Sequence, residues 1–508
     1  PSKAELRRLK AAVKRAGVRS VAVCLLHAWR TPENERAVVE ALGEEFDVSA
    51  SHEICPEFRE YERASTTALN AYVGPLMRDY LSKLALEKRH RISVVQSNGG
   101  SMTLEEASRH AVRTVLSGPA GGVSGALAVA RASGFDKVLG FDMGGTSTDV
   151  HLSDGAPAET MEASVDGFPV RVPMLEIHTV GAGGGSIARV DAGGLLRVGP
   201  ESAGADPGPA CYGKGEMATV TDAHVALGRI AADQLAGGTL RIDPERSRAA
   251  VGRLAAEMGF TLEEAAEGIL RVANATMARA VRVVSVERGY DPRDFVLVAF
   301  GGCGGLHACE LAGQLGVRRV VVPELAGSLS ALGMLLADRV RDYAAGVLGQ
   351  TDVEGAFRKL EAQARRDSRG AAMERFADLR YAGQSYELTL EWKGGGALTE
   401  FHEVHGRTFG HADAGRAVEV VAIRVRVGTS VAKPALAGPE GGRKGRVETR
   451  RVHIGGEWVE APCYRREQVG VSFKDGPALV ADYGSTVLVP HNWKFRLAEA
   501  GNLILETR

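Results

Sequence analysis

The first 340 or so residues alternate between helical and strand-like spacing of apolar positions. Amphipathic periodicity predicts helices, and the short apolar runs between them predict strands. The predicted helices cover residues 4–16, 34–45, 65–86, 262–287, 306–315 and 329–336. The predicted strands cover residues 18–26, 92–96, 295–300 and 317–322. Alternation of this kind is typical of α/β layers.

Beyond residue 341 the pattern changes. A helical segment is expected from about residue 353, and strand-like alternation follows at 386–392, 418–427 and 486–489. We therefore expect three regions: a partial N-terminal α/β lobe at 1–114, the main α/β lobe at 115–343, and a helical linker with a β-rich domain at 344–508.

Composition narrows the class of protein. A chain of 508 residues is too long for a single core. Its net charge of −1 provides no basic field for nucleic acid or an anionic membrane, so neither is expected as a partner. No apolar run approaches the roughly 20 residues that span a bilayer, and no signal peptide is visible. The six cysteines are scattered without a CxxC pair, which favours reduced thiols and a cytoplasmic location.

The strongest local signal is the sequence GFDMGGTSTDV at residues 140–150. It predicts a strand, a tight glycine turn and a second strand. Such a turn presents backbone N–H groups and hydroxyls to an anion, and carboxylates beside it can hold a hydrated Mg²⁺ or orient a water molecule. An ordinary glycine hairpin is the alternative. The predicted phosphate-binding residues are Gly144, Gly145, Thr146 and Ser147. Asp142 is the principal catalytic and Mg²⁺-holding candidate, and Asp149 is a second catalytic candidate for which a structural role in the loop is the alternative.

A second glycine loop, FGGCGGLHACELA, follows the predicted strand at 295–300 and opens a helix. Gly301, Gly302 and Gly304 are predicted to line the adenine or ribose side of a nucleotide, with close helix–strand packing as the alternative. The loop matches neither Walker A nor a dinucleotide fingerprint. A phosphate hairpin followed by a strand–glycine–helix loop suits the actin/hexokinase-like ATPase plan.

Two histidines and a neighbouring aspartate are further candidates for a catalytic base or a metal ligand. Imidazole is suited to both roles because it titrates near neutral pH. His307 lies just inside the helix after the second loop and is a candidate catalytic base. Asp222 and His224 lie two residues apart, and on a strand or extended turn that spacing would point both side chains the same way, as ligands of an additional divalent metal.

Many motifs of the chain, taken in order, resemble the hydantoinase A/5-oxoprolinase/acetone carboxylase β-subunit family. The matching stretches are EYERASTTALNAYVGPLM, QSNGG, SGPAGGV, GFDMGGTSTDV, TVGAGGGSIA, ADPGPACYG, VTDAHVALGR, FGGCGGLHA, SLSALGMLLAD, YAGQSYEL and GNLILE. The resemblance implies an α/β, actin/hexokinase-like (ribonuclease H-like) ATPase with two lobes and a mainly β C-terminal region. It also implies use of ATP and Mg²⁺.

The resemblance implies an ATP-dependent cyclic amidohydrolase component that phosphorylates the amide oxygen of a hydantoin- or 5-oxoproline-like ring before the ring opens. An ATP-hydrolysing subunit of a ketone carboxylase is the alternative, and an actin-like nucleotide-binding scaffold is the third possibility. The implied partners are a hydantoinase B-type subunit and a cyclic amide or ketone substrate, in a homo- or hetero-oligomer. We expect the β-rich C-terminal region to help dock the B-type subunit.

The chain departs from the family pattern in three places. The family's first DxGGTxTD hairpin is not found, so we expect a truncated chain whose residues 1–508 bind ATP weakly on their own. The usual GGAGPLH is GGCGGLH here, with Cys303 and Gly305, and the usual DAN is Asp222-Ala-His224. Both replacements are compatible with the loop geometry of the family, but they change the side chains that a ligand would contact.

Overall fold

The computed structural model describes residues 1–84, 92–233, 239–368, 371–434, 442 and 445–508. The α-helices in these residues are α1 (Lys3–Ala16), α2 (Glu33–Leu42), α3 (Ser51–Ile54), α4 (Glu60–Leu84), α5 (Leu104–Arg109), α6 (Ser117–Ala132), α7 (Val220–Ala226), α8 (Pro244–Met258), α9 (Leu262–Val284), α10 (Gly304–Leu315), α11 (Leu329–Leu336), α12 (Val353–Asp367) and α13 (Gly396–Phe409). None of them is both long enough and apolar enough to cross a membrane.

The strands in the described residues are β1 (Ser20–Val23), β2 (Asp47–Ala50), β3 (Ser93–Val95), β4 (Ser101–Thr103), β5 (Lys137–Met143), β6 (Thr148–Asp154), β7 (Ala156–Pro157), β8 (Glu159–Thr160), β9 (Ala163–Val165), β10 (Phe168–Val170), β11 (Met174–Leu175), β12 (His178–Val180), β13 (Ser186–Val190), β14 (Leu196–Ser202), β15 (Val296–Phe300), β16 (Arg319–Val322), β17 (Arg339–Gly346), β18 (Ala372–Tyr381), β19 (Leu388–Glu391), β20 (Val418–Thr429), β21 (Glu448–Ile454), β22 (Glu457–Arg465), β23 (Lys474–Asp475), β24 (Ala478–Ala481), β25 (Thr486–Val489), β26 (Trp493–Leu497) and β27 (Leu503–Thr507).

Several helices begin at sequence-encoded caps. Ser2 and Glu5 form a reciprocal capping box at the start of α1, and Thr261 and Glu264 form another at the start of α9. Each box satisfies two N–H groups that the first helical turn leaves without a partner. The predicted helices at 4–16 and 262–287 are confirmed at these ends, although α9 stops at Val284.

The chain folds into two compact units, each assembled from three stretches. Unit 1 comprises Pro1–Ala120, Glu159–Leu175 and Ala337–Ala432. Unit 2 comprises Gly121–Ala158, Glu176–Leu336 and Lys433–Arg508.

Unit 1 contains a six-stranded sheet in the order β19-β18-β20-β17-β4-β3. Its long strands β17, β18 and β20 pair in antiparallel register. Apolar residues of these strands pack with residues of α12 and α13, including Phe357 and Phe401, which are both fully buried. The strand pattern predicted for 418–427 is therefore confirmed, and this sheet forms the main core of unit 1.

Unit 2 contains a nine-stranded sheet in the order β12-β6-β5-β15-β16-β27-β26-β23, with β7 paired to β6. β15 runs parallel to both β5 and β16, and all five of its residues are buried. A central parallel strand covered on both faces reads as a continuous apolar run, which explains the sequence VLVAF. Helices α6 to α10 contribute to the same core.

Two features of the chain differ from the sequence-based expectation. The stretch 344–508, expected as one region, is divided: residues to 432 complete the sheet of unit 1, and β27 pairs with β16 in unit 2. The reason is that strand pairing is long-range and leaves no local signal. The family domain boundaries at 114/115 and 343/344 stay predictions.

The second difference concerns the glycine-rich stretch SGPAGGV, for which no helix was expected although it begins α6. Gly121 and Gly125 lie inside α6, where an added Cβ would come within 2.6 Å and 2.7 Å of carbonyl oxygens of Ser330 and Leu329. Glycine is needed there because it lets α6 approach the segment at 329–330 closely.

Candidate functional site

The first glycine motif is a β-hairpin, as predicted. β5 and β6 pair in antiparallel register, and the Gly144 N–H donates to the Ser147 carbonyl across the turn at 3.1 Å. A Cβ added at Gly145 would have no heavy atom within 4 Å, and one at Gly144 would approach only that carbonyl, at 3.8 Å. The backbone of the turn therefore borders open space that a ligand can approach.

The glycine run at 183–185 packs against this turn. The Gly184 N–H donates to the Gly144 carbonyl at 3.0 Å, and the Gly185 N–H donates to the Gly145 carbonyl at 2.6 Å. A Cβ at Gly184 would lie 2.6 Å from the Cys303 sulfur. This run is built for close packing, and it fixes the hairpin from one side.

The second glycine loop also contacts the hairpin. Gly301 has a φ of +78°, and an added Cβ there would overlap the Met143 carbonyl, which in turn accepts the Cys303 N–H at 3.1 Å. Gly304 begins α10 and is buried. Of these three glycines, Gly302 lines the cavity described in the next paragraph, and Gly301 and Gly304 do not. The expectation that all three glycines line a ligand is corrected here, because Gly301 and Gly304 serve the packing of strand, loop and helix.

The hairpin and the second loop border one cavity of about 190 Å³ in unit 2. Its wall is formed in part by Gly144, Gly145, Gly185, Gly302, Cys303, Leu306 and residues 483–486. Burial raises the pKa of the Cys303 thiol to about 11, so this cysteine is a neutral wall residue at neutral pH. The two loops that the sequence singled out are thus brought together.

Sequence reasoning missed the third wall of the cavity, the turn at 483–486 between β24 and β25. Ser485 is 7% exposed, and its hydroxyl oxygen is buried without a hydrogen-bond partner among the described residues. A buried hydroxyl of this kind is a polar group available to a ligand or a water molecule. The signal was present, because Asp482-Tyr-Gly-Ser-Thr repeats the acid–glycine–hydroxyl order of the first motif.

Thr146 and Ser147 occupy the tip of the hairpin. Thr146 is exposed and Ser147 is half-buried, and neither hydroxyl residue is among those that line the 190 Å³ cavity. Their contact with phosphates stays a prediction.

Asp142 and Asp149 face each other across the two strands of the hairpin. The Asp142 carboxylate accepts a long hydrogen bond from the Ser330 hydroxyl at 3.4 Å, and Asp149 accepts one from Thr179 at 2.6 Å. Burial, together with the neighbouring charge of Asp149, raises the pKa of Asp142 to about 6. Burial also raises the pKa of Asp149. The pair is therefore a weakly solvated acidic site beside a glycine turn, and carboxylates with perturbed pKa values are concentrated at functional sites.

His307 does not have the exposure that a catalytic base needs, which corrects the prediction. It is 1% exposed, its Nδ1 lies 2.6 Å from Asn274 Oδ1, and its Nε2 lies 3.0 Å from His224 Nε2. Burial lowers its pKa to about 3. The residue follows Leu306, which does line the cavity, but its own side chain points into the core.

The expected metal pair of Asp222 and His224 is also corrected. The two residues lie in the short helix α7, and positions two apart on a helix point in different directions. The Asp222 carboxylate accepts hydrogen bonds from the N–H groups of Ala210, Cys211 and Thr219 and from the Thr219 and Ser247 hydroxyls. It is a structural cap. Across the described ranges, no group of three or more His, Cys, Asp or Glu side chains is placed to hold a metal ion.

The sequence is similar to a known protein family and to several of its relatives. Residues 63–343 match the model of the hydantoinase/oxoprolinase family. An uncharacterised protein of Methanocaldococcus jannaschii is 38% identical, covering 99% of this chain and 79% of that protein. Caprolactamase subunit alpha of Pseudomonas jessenii is 33% identical, covering 94% of this chain and 75% of that subunit. The 5-oxoprolinase 1 of Arabidopsis thaliana is 33% identical, covering 96% of this chain and 42% of that protein.

Two solved structures share the fold. The crystal structure of the ATP-dependent caprolactamase from Pseudomonas jessenii superposes with a TM-score of 0.88 at 32% identity, over 99% of this chain and 79% of that one. The nucleotide-free structure of acetone carboxylase superposes with a TM-score of 0.78 at 25% identity, over 99% of this chain and 78% of that one. The mixed α/β fold is therefore shared with both enzymes.

Proposed function

We propose, because the chain belongs to the hydantoinase/oxoprolinase family, that it is the ATP-using subunit of an enzyme that opens a cyclic amide. One observation carries the proposal: two glycine loops distant in sequence border the same cavity, and a pair of weakly solvated carboxylates flanks the first of these loops. We assign an actin-like ATPase architecture to unit 2, supported by the hairpin β5–β6 and the strand–loop–helix unit of β15 and α10 in one sheet.

The site residues fit a phosphate group. Gly144, Gly145 and Gly302 lack a side chain on the side where the structure leaves space, so a ligand can approach their backbone. We assign Gly144, Gly145, Thr146 and Ser147 to the phosphates and Gly302 to the adenosine side. Bound Mg·ATP supplies the phosphoryl group that activates the amide oxygen and makes it part of a leaving group.

Asp142 is the residue that we assign to chemistry. With a pKa of about 6 it is mostly ionised at neutral pH, and it can then hold a hydrated Mg²⁺ or accept a proton from a water molecule. Asp149 is the positioning partner, since its carboxylate is held by Thr179 and its charge adds to the rise in the pKa of Asp142.

A ketone carboxylase subunit is the second candidate, supported by the fold shared with acetone carboxylase. The better agreement with caprolactamase in both fold and sequence favours the cyclic amide. The identity of the substrate, a B-type partner subunit, the oligomeric state and a cytoplasmic location stay predictions. Binding of ATP without turnover for any substrate would instead favour a nucleotide-binding scaffold.

The test is substrate-stimulated ATP hydrolysis by the full-length protein with its partner subunit. Lactams, hydantoins and 5-oxoproline are compared with small ketones in the presence of bicarbonate. We expect stimulation by a cyclic amide, and we expect Asp142→Ala to lower turnover on the order of 10²–10⁴-fold. Asp154→Ala is the matched control, because Asp154 lies at the exposed end of the same hairpin. Full turnover by the Asp142 variant would remove this residue from the mechanism.

A further inference from the structure

Unit 1 contains a cavity of about 500 Å³ that the proposed function does not use. It borders the C-terminal end of α5, the short 3₁₀-helix Ala111–Thr114 and strand β17. Charged side chains dominate its wall, among them Arg109, His110, Arg113, Arg341, Glu106 and Asp367. A volume of this size is in the usual range for a small-molecule site.

Local structure explains why these cations meet. A capping box between Thr103 and Glu106 starts α5, which ends after one and a half turns at Arg109. His110 then links α5 to the 3₁₀-helix that carries Arg113. Arg341 is contributed by β17, whose first residue is paired with β4 in the same sheet. Two arginines from neighbouring elements and a third from a strand distant in sequence are thus held around one space.

Most of the surrounding charges are already paired. Arg341 forms ion pairs with Glu106 and with Asp367, the latter at 3.3 Å. Arg109 pairs with Glu105 at 3.0 Å. These pairs leave little capacity in the acidic groups for another cation.

Two arginines of the wall, the exposed Arg36 and the half-buried Arg113, have side chains that make no hydrogen bond or ion pair with any described residue. Arg113 differs from Arg36 because its Nε is buried without a partner. Asp342 lies close enough to attract it, but that carboxylate is held by Arg426 at 2.9 Å and by Asn98 at 2.9 Å. A guanidinium is therefore kept partly buried with its donors free, an arrangement that costs free energy unless an anion is bound.

His110 lies in the same positive environment as Arg113. Its Nδ1 is buried without a partner. Burial, and then the charges of Arg113, Arg109 and Arg341, lower the pKa of this imidazole to about 3. The histidine is neutral at physiological pH and adds a neutral polar group to the cavity rather than a further charge.

We propose that this cavity binds a small organic monocarboxylate, with the free Arg113 guanidinium as its anchor. The planar guanidinium matches a carboxylate in a two-point hydrogen bond. The carboxylates of Glu106 and Asp367 on the wall disfavour a dianion such as phosphate or succinate. The inference goes beyond the proposed function and stands without it, because no residue of the candidate ATP site takes part.

To test this, the 508-residue chain is titrated with propionate, 6-aminohexanoate, succinate and inorganic phosphate at constant ionic strength. Binding is measured by calorimetry and by the shift in the midpoint of thermal unfolding. We expect saturable binding of the two monocarboxylates and weaker binding of the dianions. Tighter binding of 6-aminohexanoate than of propionate would identify the ligand class as an amino acid, and equal binding would identify a plain carboxylate. Absence of saturable binding, or equal binding of all four anions and chloride, would overturn the proposal.

The Arg113→Gln variant separates a ligand anchor from a structural arginine. We expect its affinity for the bound monocarboxylate to fall about 10-fold or more, while its unfolding midpoint without ligand stays the same or rises, because an unpaired cation has been removed. A structural arginine would give a lower midpoint without ligand. Arg113→Lys, which keeps the charge but loses the two-point geometry, should bind with intermediate affinity. Arg358→Gln, on the exposed face of α12, is the control and should bind like the unaltered chain. Undiminished binding by Arg113→Gln would contradict the assignment.

Discussion

Asp142→Asn should stabilise unit 2 at neutral pH, because the native fold disfavours the ionised carboxylate. The replacement has nearly the same shape and keeps an oxygen that can accept from the Ser330 hydroxyl. What it removes is a charge that is poorly solvated and that lies opposite Asp149.

The magnitude follows from the shift in the pKa of Asp142 from 3.8 to about 6. Each pKa unit corresponds to about 1.4 kcal/mol, so the full effect is about 3 kcal/mol, and partial solvation reduces the expected gain to roughly 1–3 kcal/mol. The unfolded chain ionises near pH 4, and the folded protein ionises near pH 6. Ionisation therefore opposes folding increasingly from about pH 4 to pH 6, fully above pH 6, and not below pH 4.

The assay is the unfolding midpoint of both proteins between pH 4 and pH 8. For a unit of this size, about 2 °C per kcal/mol is expected, so the variant should gain roughly 2–6 °C at pH 8 and lose that gain as the pH falls towards 4. Asp154→Asn, at the exposed end of the same hairpin, should change stability by less than about 0.5 kcal/mol. A gain that does not depend on pH, or a loss at pH 8, would refute the reasoning.

Three further outcomes are expected. Gly184→Ala should disrupt unit 2, since the new Cβ would lie 2.6 Å from the Cys303 sulfur. Gly145→Ala should keep the native unfolding midpoint but lose ATP turnover in the full-length protein. Equal behaviour of the two variants would contradict the distinction between packing and ligand-facing glycines. Asp222→Asn should lower the free energy of unfolding by about 2–4 kcal/mol, as measured by urea unfolding. A metal chelator should not alter the stability of the unaltered chain, and a strong effect of the chelator would restore the metal assignment. Because burial lowers the pKa of His307 to about 3, this residue should make stability fall as the pH drops below about 6.5, where the unfolded chain takes up the proton. Burial also lowers the pKa of His110, His151 and His224, so His307→Asn should reduce the fall in the unfolding midpoint without abolishing it.

Elements with strong local periodicity could be predicted from the sequence. The helix at 329–336 and the strand at 486–489 have the predicted bounds, and the hairpin at 140–150 forms as expected. Capping residues and alternation of apolar positions act within a few residues, so they are readable without knowledge of the fold.

Burial and long-range pairing could not be read in the same way. His307 and Asp222 have the side chains of catalytic or metal-binding residues, but whether such groups face a cavity or the core depends on elements far away in sequence. The same holds for Ser485, whose turn borders the same cavity as the hairpin because β25 packs beside α10. The sequence identified the two glycine loops, and the tertiary structure decided which of their residues face open space.

The most direct test of the proposed activity follows the oxygen of the amide. A cyclic amide that stimulates ATP hydrolysis is supplied to the full-length protein and its partner with ¹⁸O in the carbonyl group, and the phosphate released is analysed by mass spectrometry. If ATP phosphorylates the amide oxygen, one water adds to the carbon and the ring nitrogen leaves, which gives an acyl phosphate. A second water then attacks its carbonyl carbon, and the phosphate departs with the former amide oxygen. The account predicts one ¹⁸O atom in the released phosphate for each ring opened. Ring opening with unlabelled phosphate would contradict this sequence of phosphorylation and attack at carbon.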